Sequence, residues 1–159
     1  MLRTLLTAAA LSVLPGFAAD KYAGPKPGKP DLPYLLHGST LVATESSEAK
    51  EETKGKDAVY TIAGATSTAR TPLAEPIFIL EAQKVVPERM ELYKVGVREG
   101  VREVSLTEKR KKGGSRPIHL TVFPLGAKLY RVEAAETLEE GEYCLSPSDS
   151  NRVFCFAVY

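Results

Sequence analysis

Two cysteines, two histidines and one dense run of cations are the residues of this 159-residue chain with the most evident chemistry to offer. Cys144 and Cys155 are its only cysteines. A metal centre needs more donors than they supply, because His37 and His119 are the only histidines and lie far from them in sequence. Thiol–disulfide catalysis uses Cys-x-x-Cys at a helix start, which this spacing is not. A structural disulfide is the chemistry that remains. For nucleophilic hydrolysis the chain has serines, the two histidines and Asp20, Asp31, Asp57 and Asp149, but no Gly-x-Ser-x-Gly elbow frames them. His119 sits inside a strand-like run (PIHLTVF) and His37 beside a turn, where a packed or half-exposed imidazole is commoner than a base. Glycine loops for phosphate and acidic loops for calcium are missing, and the many glutamates have no spacing that selects an acid–base pair. The sequence therefore assigns no catalytic, cofactor-binding or metal-binding residue, and no cofactor is expected.

The cations are Lys109, Arg110, Lys111 and Lys112, followed by Gly-Gly-Ser and Arg116. Like charges on a glycine-rich loop repel one another and stay solvated. The same residues form the one candidate anion contact, for a polyanion such as cell-surface phosphate or acidic polysaccharide. Over the whole chain the charges balance, with 21 Lys and Arg against 20 Asp and Glu. No overall field draws in nucleic acid, and nucleic-acid binding is not expected. Asn151 and Gln83 are the only side-chain amides and tryptophan is absent, which counts against a dedicated sugar- or base-recognition surface.

The first residues read as an address. Arg3 precedes an apolar run, Leu5 to Leu14, too short to cross a bilayer, and Pro15-Gly16 breaks it before small residues. Residues 1–18 are expected to be a secretory signal peptide, with cleavage leaving Ala19 as the new N-terminus. No cysteine follows the cut, so no lipid anchor is expected there. A secreted or periplasmic location also suits the disulfide, since such compartments oxidise paired thiols.

Residues 19–33 read as an extended, solvated spacer, with prolines at 25, 27, 30 and 33 and glycines between them. Residues 34–159 are expected to form a single domain. Glu45 to Lys56 is polar and of mixed charge, and is expected to be a loop or a short solvated helix. The remainder consists of short Val-, Ile-, Leu-, Tyr- and Phe-rich runs separated by Gly and Pro, with no helical periodicity. Gly38-Ser39 predicts a tight turn between Tyr34–His37 and 40–44. Arg98-Glu99-Gly100 predicts a three-residue hairpin loop with a glycine bulge. Pro124-Leu125-Gly126 predicts the next turn. About eight to ten strands in one domain imply an all-β, antiparallel β-sandwich. A membrane-spanning barrel is not expected, because Phe154, Phe156 and Val158 would face a lumen that should be polar.

If Cys144 lies opposite Cys155, Leu145 lies opposite Phe154. The cysteines then share one face of the final hairpin, and Tyr143, Leu145, Phe154, Phe156 and Val158 share the other. Such a bond closes a short loop and is expected to pin an edge. The segment Leu138-Glu139-Glu140-Gly141-Glu142-Tyr143 resembles the L-x-P-G-x-Y tyrosine corner of immunoglobulin-like and fibronectin-like sandwiches, with Glu140 in place of the usual proline. The resemblance implies an immunoglobulin-like topology and a Tyr143 hydroxyl bonded to backbone just upstream. It implies no ligand.

The functional expectation is a secreted, cofactor-free module that binds or builds at the cell envelope. The alternative is a small periplasmic enzyme, hydrolase-like, with an unframed active site. A deep pocket converging on either histidine favours the enzyme, and an open face favours the module. Intact-mass analysis of the exported protein should give a chain beginning at Ala19 or Asp20. Retention of Met1 on the exported product would remove the signal peptide from the account.

Overall fold

Turns with backbone in the left-handed region connect most of the neighbouring strands. The computed structural model describes residues 21–55, 57–106 and 115–159. Gly38, at φ 60°, folds Tyr34–His37 (β1) onto Thr40–Ala43 (β2) as its residue type predicts. Two further strands follow at once, Glu45–Glu48 (β3) and Lys50–Lys54 (β4), and then Asp57–Ile62 (β5). Arg70–Thr71 (β6) and Ile77–Glu81 (β7) precede a single 3₁₀ turn at Pro87–Arg89. The rest of the chain is Met90–Arg98 (β8), Val101–Leu106 (β9), Leu120–Gly126 (β10), Leu129–Ala134 (β11), Gly141–Pro147 (β12) and Arg152–Val158 (β13). Among the described residues there are thus thirteen strands, more than the eight to ten expected.

They form two antiparallel sheets packed together, as the sequence implies. The smaller has the order β10-β11-β7-β1-β2. The larger runs β3-β13-β12-β8-β9-β5-β4, with β6 added parallel to the end of β13. Leu35, Phe78, Leu80 and Val132 of the smaller sheet meet Leu92, Tyr143, Leu145, Phe154, Phe156 and Val158 of the larger in one core. Phe156 is fully buried, edge-on to Phe78 at 5.1 Å and stacked on Tyr143 at 5.6 Å between ring centroids.

The larger sheet does more than cover this core. Its first and last members, β3 and β4, follow one another through Ala49, so the sheet begins and ends on one segment of chain. Counting that bent segment as one strand, six antiparallel strands close a ring, and an even number is what antiparallel closure requires. Ala49 N–H donates to the Asn151 carbonyl at 2.8 Å at the bend. Where β8 and β9 diverge, the returning chain fills in: Ser115 N–H donates to Ser105 O and Ile118 N–H to Leu92 O. A second core lies inside the ring, built from Ala49, Ile62, Tyr93, Val95, Val104, Cys144, Val153 and Cys155. Strands β8, β12 and β13 are therefore covered on both faces, which is why β13 reads as an unbroken apolar run (VFCFAV).

Five local expectations need correction. Glu45 to Lys56 is neither loop nor helix over 45–54, because β3 and β4 close the ring by backbone pairing to β13 and β5. Edge pairing needs no apolar side chains, and all of β4 is exposed. The hairpin after β8 has a two-residue loop, since Arg98 pairs with Val101 and both Glu99 and Gly100 have positive φ, the type I′ pattern. Pro124-Leu125-Gly126 stays within β10 as a bulge, and the reversal falls at Ala127-Lys128, where Lys128 has φ 59°.

The fourth concerns the spacer, whose end is part of the domain. Leu32 enters the first core, and Asp31 Oδ1 accepts the N–H groups of Gln83, Lys84 and Val85 at 2.8–3.0 Å. Burial opposes ionisation of Asp31, but those three donors outweigh it and hold the carboxyl below its ordinary value. A lowered carboxyl contributes stability above its unfolded pKa, and that contribution is lost as the pH falls through the folded value.

The final hairpin matches its expected register, with Cys144 opposite Cys155 and Leu145 opposite Phe154. The two cysteines are bonded, and their Cα atoms are 4.0 Å apart. The bond does not pin an edge, however: β13 is flanked by β3 and β6, and the sulfurs belong to the second core. It crosses a short loop, so reduction should cost about 2–3 kcal/mol and leave a folded domain. Phe156→Ala removes a ring from the first core and should cost more, about 3–5 kcal/mol. Denaturant unfolding of the oxidised, reduced and Phe156→Ala proteins checks the ordering. Unfolding on reduction, with Phe156→Ala tolerated, would contradict the two-core arrangement.

Candidate functional site

Directly opposed residues of an antiparallel pair point to the same face. Since Cys155 and Cys144 face into the ring, so do Glu45, opposite Cys155, and Tyr93, opposite Cys144. Glu142 faces inward with its neighbour Val95. On the far wall Ile62 is opposite Arg102, and Tyr60 is opposite Val104. The pleat thus sends one arginine and two glutamates toward the interior at one end, aliphatic side chains to the middle and two tyrosines toward the other end.

At the first end Arg102, with a side chain only 1% exposed, is held on several sides. Its Nη2 donates to Glu45 Oε1 at 2.5 Å and to the Ala63 carbonyl at 2.6 Å. Nε donates to the Gly64 carbonyl at 3.0 Å, and Nη1 to Ser67 Oγ at 2.7 Å. Ser67 passes the contact on, its hydroxyl and its N–H both donating to Glu142 Oε2. Thr68 N–H donates to the other oxygen of Glu45. Gly64 takes φ 83°, a conformation strained for other residues, to turn the 63–69 segment across this end. One guanidinium therefore ties β9, β3, β12 and the β5–β6 connection together.

The other end is open. A cavity of about 330 Å³ lies inside the ring, walled by Ala49, Ile62, Val95, Val104, Leu106 and Val153, with the Ser146–Asn151 turn at its rim. Tyr60 and Tyr93 line it, each beside a carboxylate. The Tyr93 hydroxyl donates to Glu91 Oε2 at 2.5 Å. Burial first, and then this carboxylate, push the Tyr93 phenol well above its ordinary pKa. Burial, reinforced by Glu51, raises Tyr60 in the same way. Both phenols therefore stay neutral at physiological pH. The arrangement supplies an apolar chamber with aromatic faces and a carboxylate at its mouth. Among the described residues no serine lining the chamber is hydrogen-bonded to a histidine or carboxylate side chain, and no group of three or more His, Cys, Asp or Glu side chains is placed to hold a metal ion.

The residues singled out from sequence are dispersed. Cys144 lines the chamber as half of the disulfide. His37 sits at the β1–β2 turn with its Nε2 buried and unpartnered, and His119 is exposed beside β10; neither lines the chamber. Lys109, Arg110, Lys111 and Lys112 lie outside the described residues. Arg116 is exposed and its Nη2 lies 3.0 Å from both carboxylate oxygens of Glu136. The tyrosine corner is formed, Tyr143 Oη donating to the Glu139 carbonyl at 2.9 Å. Among the described residues no helix is long and apolar enough to cross a membrane.

Compared with protein-family models, with curated proteins and with solved structures, the chain finds no match, so the functional argument rests on this geometry. Sequence reasoning missed Arg102, Glu45 and Glu142. Strand parity held the signal for two of them: Arg102 alternates with Val104 and Leu106, and Glu142 stands two residues before Cys144. A charge in phase with an apolar face is either a mistake in register or a buried ion pair.

Replacing Arg102 with Met should leave Glu45 and Glu142 without their cation and destabilise the domain by about 3–5 kcal/mol. Arg102→Lys should recover little, because an ammonium lacks the planar fork that reaches four partners. Adding Glu45→Gln to Arg102→Met should return part of the loss. Urea denaturation of the set is the check, and a cost below about 1 kcal/mol for Arg102→Met would show that the ring closes without it.

Proposed function

We propose that this chain is a secreted, cofactor-free β-sandwich that works as a binding module at the cell envelope, with its ligand taken into the chamber of the rolled sheet. The chamber carries the reading. It is of the size of a small-molecule site, its walls are apolar, and its polar groups gather at the rim, the usual composition of a binding pocket. Neither histidine lines it, which favours a module over the hydrolase-like alternative. Export is supported by the signal-peptide pattern of residues 1–18 and by the disulfide between Cys144 and Cys155. The immunoglobulin-like part of the reading rests on the tyrosine corner alone.

Native mass spectrometry of the protein recovered without denaturant from the envelope fraction tests this. The wild type should carry a small-molecule adduct, and Val104→Trp, which fills the chamber, should lack it while keeping the wild-type circular dichroism spectrum. A hydrolytic turnover abolished by His37→Ala or His119→Ala would overturn the module in favour of the enzyme.

A further inference from the structure

The chemistry of the rim specifies more than an apolar guest. The described side chains lining the chamber include two carboxylates, Glu91 and Asp149, and neither lysine nor arginine. Asp149 is already matched, by Arg89 at 2.7 Å. Among the described residues Glu91 takes only a neutral phenol, the Tyr93 hydroxyl, whose raised pKa keeps that partner uncharged. Tyr93, on β8, and Tyr60, on β5, both line the chamber, and an aromatic face attracts a cation by its quadrupole. Below them the walls are aliphatic: Ile62, Val95, Val104 and Val153.

We infer that the chamber is a site for a small amphiphilic organic cation, an ammonium group carried on a short hydrocarbon body. The hydrocarbon lies against Ile62, Val95 and Val104, and the ammonium sits at the mouth between Glu91 and the two tyrosine rings. A cavity of about 330 Å³ limits the guest to a small molecule. An anionic amphiphile of the same length meets Glu91 with like charge, and a neutral alcohol keeps the hydrocarbon contact while losing the ion pair and the cation–π contact. This inference rests on the chamber being a ligand site, the reading given above.

The test uses three probes of one hydrocarbon length, hexyltrimethylammonium, 1-hexanol and hexanoate, titrated into the mature oxidised protein and followed by backbone amide NMR shifts. The ammonium should bind at least about tenfold more tightly than the alcohol, with shifts at Tyr60, Tyr93, Val104 and Ser146, and hexanoate should be weakest. Glu91 is exposed, so Glu91→Gln should fold normally and lower the preference for the ammonium several-fold while leaving hexanol binding unchanged. Tyr93→Leu should also lower the preference for the ammonium over hexanol, through loss of the aromatic face. Hexanol binding as tightly as the ammonium would overturn the cation specificity but leave the chamber a ligand site. Absence of shifts with all three probes would overturn the cation site, while an adduct on the envelope-derived protein would still uphold the module.

Discussion

The guanidinium of Arg102 is the constraint on which the larger sheet depends. A buried arginine is costly unless its donors are met, and here carbonyls 63 and 64, Ser67 and Glu45 meet them. These partners come from β3 and from the connection that follows β5. Satisfying one side chain therefore requires β3 to approach β9 and the 63–69 segment to cross between them. Aliphatic burial alone would be met equally well by a flatter sheet with a different covering. The ion cluster makes closure specific, and it leaves an amphipathic interior with charge at the sealed end and an apolar chamber at the open one.

The disulfide and the first core act on a different part of the molecule. β12 and β13 are gripped from one side by Phe78, Leu35 and Val132, and from the other by the residues around Cys144 and Cys155. This double burial makes the final hairpin a shared wall of both cores. Burial of two layers on one hairpin also explains how a chain with only five phenylalanines and no tryptophan fills two interiors: Phe154 and Phe156 serve the first, and the sulfurs with Tyr93 serve the second.

How far the sequence could be read follows from what each element uses to hold itself. The final hairpin was legible because two independent patterns, the cysteine pair and the alternating aromatics, agree on one register. The tyrosine corner was legible because a short motif carries its own hydrogen bond. β3 and β4 were illegible because their pairing is through backbone alone, and Glu51 to Lys54 point to water on both faces. Ring closure could not be read at all, since it depends on Ala49 linking two strands whose partners, β13 and β5, are about a hundred residues and a few residues away along the chain. The chamber followed the ring into obscurity. Its wall is drawn from strands that no local pattern connects, and the serine-rich turn at its rim reads from sequence only as a loop.

Closure of the ring is the central claim, and native-state hydrogen exchange of the amides along residues 45–54 tests it most directly. In a closed ring the Ala49 amide is bonded to the Asn151 carbonyl, and β3 is paired to β13. The bonded amides of β3 and Ala49 should then exchange with protection approaching that of β13 itself, and Arg102→Met should lower their protection before that of β12. Exchange of those amides at the rate of an unstructured chain, with β12 and β13 protected, would mean that the larger sheet is open and that no enclosed chamber exists.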